Sequence, residues 1–282
     1  MIEEKNVWER LSRRGRRVVA AVVSCAIALF MLWWINEVPA GTGAKPGAAA
    51  GAGQNLLPGN PLDTRPILVL DAGHGGQDPG AVSADGSVLE AAVTSELVGL
   101  VQALLAPHGD ELVVVRAGEP DVYATPLERA NVASALQADL LVSLHLNADT
   151  SPDTRGFQVY PTPPGRVHHA ESLRFGELLV ERMKETNVKI LGENGVFYAY
   201  YIDTAGGAYN KVLVEAGQIT DPWDDDSFGV VEYPGCPAAL VELWYISSAE
   251  DMALFNNEAG KAVMATAVYR TVCDYFDLTP KA

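Results

Sequence analysis

Cysteine is scarce in this chain. Its 282 residues include three cysteines, Cys25, Cys236 and Cys273. So few thiols cannot build a disulfide framework, and no CxxC pair offers the spacing of a structural zinc site. We expect buried thiols, with a Cys236–Cys273 bridge as an alternative whose geometry the sequence does not test.

Basic charge is scarce beyond the amino terminus. The formal net charge is −16, yet residues 1–17 carry six Lys or Arg against three Glu. The remainder is therefore even more acidic than the total suggests. Because phosphate binding needs a basic face, this composition argues against a nucleic-acid partner. Solubility is the simplest explanation for the acidic charge.

One long apolar run, residues 18–35, follows a cluster of arginines. As a helix it would be about 27 Å long, close to the hydrocarbon thickness of a bilayer. Trp33 and Trp34 stand at its far end, where aromatic rings favour the membrane interface. We predict a cytoplasmic basic segment (1–17), a transmembrane segment (18–36) and a single-pass protein of the cell membrane whose remaining residues lie outside the cytoplasm.

Two alternatives for this run remain open. Val38-Pro39-Ala40 is similar to a signal-peptide cleavage site, which would release a secreted protein. The residues leading to Cys25 loosely resemble a lipoprotein box. In all three interpretations the rest of the chain leaves the cytoplasm.

Residues 37–64 are rich in Gly, Ala and Pro, a composition that favours a flexible linker. Residues 65–282 are long enough for one domain with a sizeable core. Short apolar runs, such as 67–70, 139–144 and 238–243, alternate with helical stretches there. The pattern predicts the α/β class: a three-layer domain with a mostly parallel twisted sheet flanked by helices.

Three polar residues stand at or near the ends of predicted strands: His74, His145 and Glu242. Ligands of parallel sheets bind beyond the carboxyl ends of the strands, so these side chains are expected on one rim. A lone histidine there is more often structural. Glu242 is harder to dismiss, because a carboxylate inside an apolar strand needs a partner or marks a site. With Glu90, the set could supply three metal ligands and one base.

Three segments resemble the zinc-dependent N-acetylmuramoyl-L-alanine amidases, which have an α/β catalytic domain. Residues 70–76 (LDAGHGG) with 78–81 (DPGA) are similar to the first ligand motif, 143–148 (SLHLNA) to the second histidine motif, and 237–243 (PAALVEL) to the catalytic glutamate segment. Weaker similarity lies at 127–130 and 156–160. The resemblance spans residues 66–275, in the family's order.

The resemblance implies that His74, Glu90 and His145 bind Zn²⁺ and that Glu242 is the catalytic residue. It implies a peptidoglycan substrate, cut at the amide between N-acetylmuramic acid and L-alanine of the stem peptide. Membrane contact is expected through the amino-terminal helix. Whether a protein activator is needed stays open. Alternative functions are a catalytically silent wall-binding regulator on the same fold, or a zinc hydrolase of another amide.

The chain departs from the family in three places. Ala91 and Ala92 replace the Lys-Asp pair that usually follows the ligand glutamate, here Glu90. Trp244 replaces a glycine, and either packs in the core or reshapes the cleft floor. Residues 198–225 look inserted, either as a surface loop with an acidic tip or as a gate or substrate-contact element.

Overall fold

Short runs of apolar residues form the parallel part of a five-stranded sheet. The computed structural model describes residues 63–204, 208–218 and 222–281. The sheet order is β2-β1-β3-β7-β4, with β4 antiparallel to β7 and the other pairs parallel. Its strands are β1 Ile67–Ala72, β2 Val113–Arg116, β3 Leu140–Asn147, β4 Gln158–Pro161 and β7 Ala238–Tyr245.

Helices follow most of the strands in the sequence and cover the sheet. They are α1 Glu90–Leu105, α2 Pro126–Ala135, α3 His169–Lys184, α4 Gly229–Glu232, α5 Ala249–Phe255 and α6 Glu258–Tyr275, with a 3₁₀ turn at Ala106–His108. The predicted α/β class, with a mostly parallel sheet flanked by helices, is confirmed. The predicted strands and helices are present with ends shifted by a few residues.

The two faces of the sheet pack against different elements. Alternate strand residues point to opposite faces, so Leu70, Val142 and Val241 lie in a large core beneath α1, α3 and α6. Val69, Leu141 and Leu240 belong to a smaller core on the side of α2 and α4. The smaller core leaves room on its own side of the sheet for polar residues near the strand ends.

Residues 198–225 are not simply the surface loop that one reading of the sequence suggested. A separate two-stranded antiparallel sheet occupies much of this stretch, formed by β5 Phe197–Asp203 and β6 Tyr209–Glu215. We call it the hairpin. Neither strand alternates apolar with polar residues, and five small or turn-like residues, 204–208, separate them, so the sequence pattern does not indicate a pair of strands.

Two expectations about single residues are settled by burial. Trp244 is fully buried in the large core, with its ring 6.0 Å from that of Phe255, so it does not form the cleft floor. Cys236 and Cys273 are both buried free thiols, and the alternative of a bridge between them is wrong.

The amino-terminal predictions concern residues outside the described ones. The basic segment, the apolar run 18–36 and all but the last two residues of the linker precede residue 63, so they stay predictions. Within residues 63–204, 208–218 and 222–281, no helix has both the length and the hydropathy needed to cross a bilayer.

The start of α2 gives a test of the local folding rules. The Thr125 hydroxyl accepts a hydrogen bond from the Glu128 amide, and the Glu128 carboxylate accepts one from the Thr125 amide, which is a capping box. We expect Thr125→Ala to lower the free energy of unfolding by about 1 kcal/mol. Urea denaturation measures this. The control Thr266→Ala, within α6, should cost less, and equal losses would contradict the capping role.

Candidate metal centre

Polar residues replace apolar ones at the carboxyl ends of three adjacent strands. On the face that carries Leu141, the next residues along β3 are Ser143 and His145. Parallel register places Asp71 of β1 beside Ser143, and Glu242 of β7 beside His145. The rim predicted from the strand ends is therefore present, on the side of the smaller core.

His74 lies in the glycine-rich turn directly after β1. Its backbone adopts φ +64°, in the left-handed region that residues other than glycine seldom occupy. The Asp78 carboxylate hydrogen-bonds Nδ1 at 2.8 Å, which orients the ring. Nε2 then points toward Glu90, 3.2 Å from Oε2. A carboxylate bonded to the second ring nitrogen commonly fixes the tautomer of a metal-binding histidine.

Glu90 is the first residue of α1, and only 3% of it is exposed. Its Oε2 accepts a hydrogen bond from the Ala81 amide at 2.8 Å, and its Oε1 accepts one from the Leu146 amide at 3.0 Å. Oε1 also lies 3.0 Å from Nδ1 of His145. The carboxylate thus joins the turn after β1, the start of α1 and the end of β3.

His74, Glu90 and His145 each offer one ligand atom, and these atoms all lie within 4.8 Å of one another. Burial would lower the pKa of both imidazoles, but hydrogen bonds with Glu90 raise that of His74 to about 9 and that of His145 above its ordinary value. Burial would raise the pKa of Glu90, yet the two imidazoles lower it strongly. The three groups therefore stabilise positive charge between them.

Two glycines leave the space that this donor set needs. A Cβ atom on Gly73 would lie 2.4 Å from the His145 ring, and one on Gly80 would lie 2.6 Å from both the Glu90 carboxylate and the His74 ring. Two imidazoles and one carboxylate, cradled in this way, match the ligand set of hydrolytic zinc sites. The residues present therefore fit a divalent metal.

Buried polar groups hold in place the backbone that carries His74. The Arg129 guanidinium contacts Asp71 at 2.6 Å and donates to the backbone carbonyls of Ala72 and His74 at 2.5 Å. Ser143 donates to the other Asp71 oxygen at 2.6 Å. These bonds fix the backbone on both sides of Gly73. Arg129 lies in segment 127–130, whose weak similarity to the family indicated no role for this residue.

Glu242 lies beside the donor set and not in it. The residue is partly buried, and its Oε2 is inaccessible and has no hydrogen-bond partner among the described residues. Burial raises its pKa to about 7, although the neighbouring His145 works in the opposite direction. A buried carboxylate without a partner is costly, so this is where a functional group is expected.

A hydrogen-bond network that the sequence did not reveal borders Glu242. Gln158, its register partner on β4, is 5% exposed. The Gln158 Oε1 accepts hydrogen bonds from Asn147 at 2.9 Å and Tyr160 at 3.0 Å, and Tyr245 lies at 3.4 Å. The only sequence signal was the weakly similar segment 156–160, which gave Gln158 no role.

Other acidic and imidazole groups lie away from this rim. Glu96, the next carboxylate along α1, pairs with Lys261 at 2.6 Å and is not part of the donor set. His108 is fully buried against Tyr269 of α6, and His169 hydrogen-bonds the carbonyl of Thr162. Of the histidines, the structure brings together only the two that the sequence singled out as ligands.

A family model that matches most of the described chain shows which protein family the chain belongs to. Residues 68–274 match the model of the N-acetylmuramoyl-L-alanine amidase family. The chain belongs to this family. The matched range contains every residue of the donor set and Glu242.

Individual relatives are distant. The chain is 26% identical over 223 residues to the probable N-acetylmuramoyl-L-alanine amidase AmiB of Haemophilus influenzae, covering 72% of this chain and 50% of that protein. It is 27% identical over 226 residues to the amidase AmiA of Escherichia coli, covering 74% and 76%. It therefore matches half the length of one relative and three quarters of the other.

A solved structure supports the fold. The amidase AmiC2 of Nostoc punctiforme superposes with a TM-score of 0.57 at 24% identity, covering 75% of this chain and 97% of that one. At this identity the likeness concerns the fold alone. It agrees with the mixed α/β architecture described above.

The space that Gly73 leaves for the His145 ring can be tested by adding one methyl group. Gly73→Ala would push the His145 ring aside, so we expect zinc affinity to fall by about 10- to 100-fold, the scale seen when metal ligands lose their support. Isothermal titration with zinc measures this. Gly99→Ala in α1 is the control, because a Cβ there meets no atom within 4 Å. Equal affinities in both variants would contradict the cradle.

Proposed function

We propose that this protein hydrolyses the amide bond between N-acetylmuramic acid and L-alanine in peptidoglycan. The observation that carries the proposal is the meeting of four groups on one rim: three ligand atoms within 4.8 Å, and Glu242 in register with His145. Family membership supplies the substrate class. A catalytically silent wall-binding protein would be expected to lack at least one of the four, and none is missing.

His74, Glu90 and His145 are the residues that would hold a zinc ion. Bound there, the ion would polarise the amide carbonyl and make water a better nucleophile near neutral pH. The remaining work falls to the protein's own side chains. Asp78 keeps the His74 ring oriented, and the amides of Ala81 and Leu146 keep the Glu90 carboxylate in place.

Glu242 is the proposed general base and acid. Its carboxylate has a pKa raised to about 7 by burial, so it can take up and return a proton near neutral pH. In the hydrolysis, Glu242 accepts a proton from the attacking water as the carbon–oxygen bond forms. It then delivers that proton to the alanine nitrogen as the carbon–nitrogen bond breaks. The products are a muramic acid carboxylate and a peptide with a free amine.

The reaction is tested on purified peptidoglycan with and without zinc. Mass spectrometry should find peptides that begin with alanine, together with glycan strands that are not cut. Removal of zinc by a chelator should stop their release, and added zinc should restore it. Cleavage within the peptide would favour a hydrolase of another amide. Absence of products at every zinc concentration would favour the silent wall-binding alternative.

Replacement of Glu242 separates proton transfer from metal binding. Glu242→Gln keeps the size of the side chain but removes the base, so we expect turnover to fall by about 10²- to 10⁴-fold. Zinc content, measured by elemental analysis, should stay near that of the unchanged protein. His74→Ala is the matched comparison and should lose the metal. Normal turnover by Glu242→Gln would overturn its role.

The location of the protein follows from the same proposal. Peptidoglycan lies outside the cytoplasmic membrane, so the domain must be exported to reach it. The apolar run 18–36 and its arginine cluster would provide a single-pass anchor, with secretion after cleavage as the alternative. Anchoring would also raise the local concentration of the enzyme at the wall.

A further inference from the structure

One face of the hairpin is directed toward the side of the sheet that carries Glu242. Ala199 and Tyr201 of β5 share this face with their register partners on β6, Leu213 and Lys211. Ala199 is buried in the smaller core, and the Tyr201 ring lies 5.9 Å from that of Phe228. The hairpin thus packs beside the proposed site through this face.

A series of contacts joins Lys211 to the residues around Glu242. Its Nζ lies 5.7 Å from the centre of the Phe228 ring, and that ring packs edge-on against Tyr160 at 5.2 Å. The Tyr160 hydroxyl in turn donates to Gln158, the register partner of Glu242. The positive charge of Lys211 also acts on Glu242, opposing the rise in pKa that burial causes.

Lys211 is also exposed, and none of the described carboxylates pairs with it. Tyr209 and Leu213 flank it at alternate positions of β6 and are 56% and 40% exposed. Most of the basic side chains that the structure describes are paired with acidic ones. Lys211 makes no ion pair with any residue in 63–204, 208–218 or 222–281. In a chain of formal net charge −16, an exposed lysine that makes no ion pair with the described residues is available to bind an anion.

The proposed substrate has a carboxylate near the scissile bond. In a stem peptide the alanine is followed by D-glutamate joined through its γ-carboxyl group, which leaves the α-carboxylate free. Two residues span at most about 7 Å, so this anion lies close to the reacting amide. Glu242 and Asp78 add negative charge beside the proposed zinc site, so a cation on the side where the peptide binds would favour this anion.

We propose that Lys211 binds the α-carboxylate of this D-glutamate and that the hairpin thereby selects stem peptides in which that carboxylate is not amidated. The inference rests on the proposed amidase function and names a specificity residue for it. Lys211 is a binding residue here. Exposed Tyr209 and Leu213, on the same face, would border the bound peptide.

The test uses two soluble substrates that differ only in this group: N-acetylmuramoyl-L-alanyl-D-isoglutamate and its isoglutamine counterpart. Lys211→Gln should raise the KM for the isoglutamate substrate about tenfold, the scale of one hydrogen bond to a charged group, with a much smaller change for isoglutamine. Lys211→Arg should keep most of the discrimination. Lys189→Gln, at another exposed lysine without an ion-pair partner, is the control and should change neither KM.

Other outcomes would overturn the inference. An equal loss on both substrates would mean that Lys211 supports the hairpin or the titration of Glu242, and no loss on either would mean that it does not contact the peptide. Thermal unfolding of each variant checks that the fold is kept. If the unchanged protein cleaves neither substrate nor intact peptidoglycan, the proposed function itself fails, a result distinct from cleavage without discrimination.

Discussion

The organisation of the site depends on the Glu90 carboxylate, a nearly buried anion that belongs to no strand. Removing such a group from water is costly unless hydrogen bonds and opposite charge compensate. Here two backbone amides and two imidazoles do so, and they come from the turn after β1 and from the end of β3. One side chain thus fixes the relative position of three segments and aims two histidines at one point.

The parallel sheet supplies the second half of the site through register. Because β3 and β7 run in the same direction, His145 and Glu242 are neighbours on one face at the same rim. Within the described part of the chain, Oε2 of Glu242 has no hydrogen-bond partner, whereas Oε1 of Gln158 beside it accepts several hydrogen bonds. In the proposed reaction, this carboxylate would be the group that exchanges a proton.

The hairpin adds an element that the sheet does not require. Its packing against Phe228 and the smaller core places one lysine and two exposed apolar side chains beside the rim. In an acidic domain, the position of one lysine that pairs with none of the described carboxylates, here Lys211, can decide which anions bind. Substrate selection would therefore depend on an inserted segment, while the chemistry depends on the sheet.

By itself the sequence determined the α/β class and the pairing of strands with helices. It also singled out His74, Glu90, His145 and Glu242, which the structure brings to one rim. Apolar runs and helix caps are local signals that can be read from neighbouring residues. The three motifs resemble those of the family and occur in the same order along the chain. Even Thr125 could be named as a helix cap, because capping involves residues only a few positions apart.

Only the tertiary structure decided what depends on long-range neighbours. The Arg129–Asp71 support, the Gln158 network and the placement of Lys211 join residues that are distant in the sequence or tied together through a third element. The same is true of Trp244, whose burial the sequence left open. Local patterns specify strands and helices, but the contacts between side chains follow from how those elements pack.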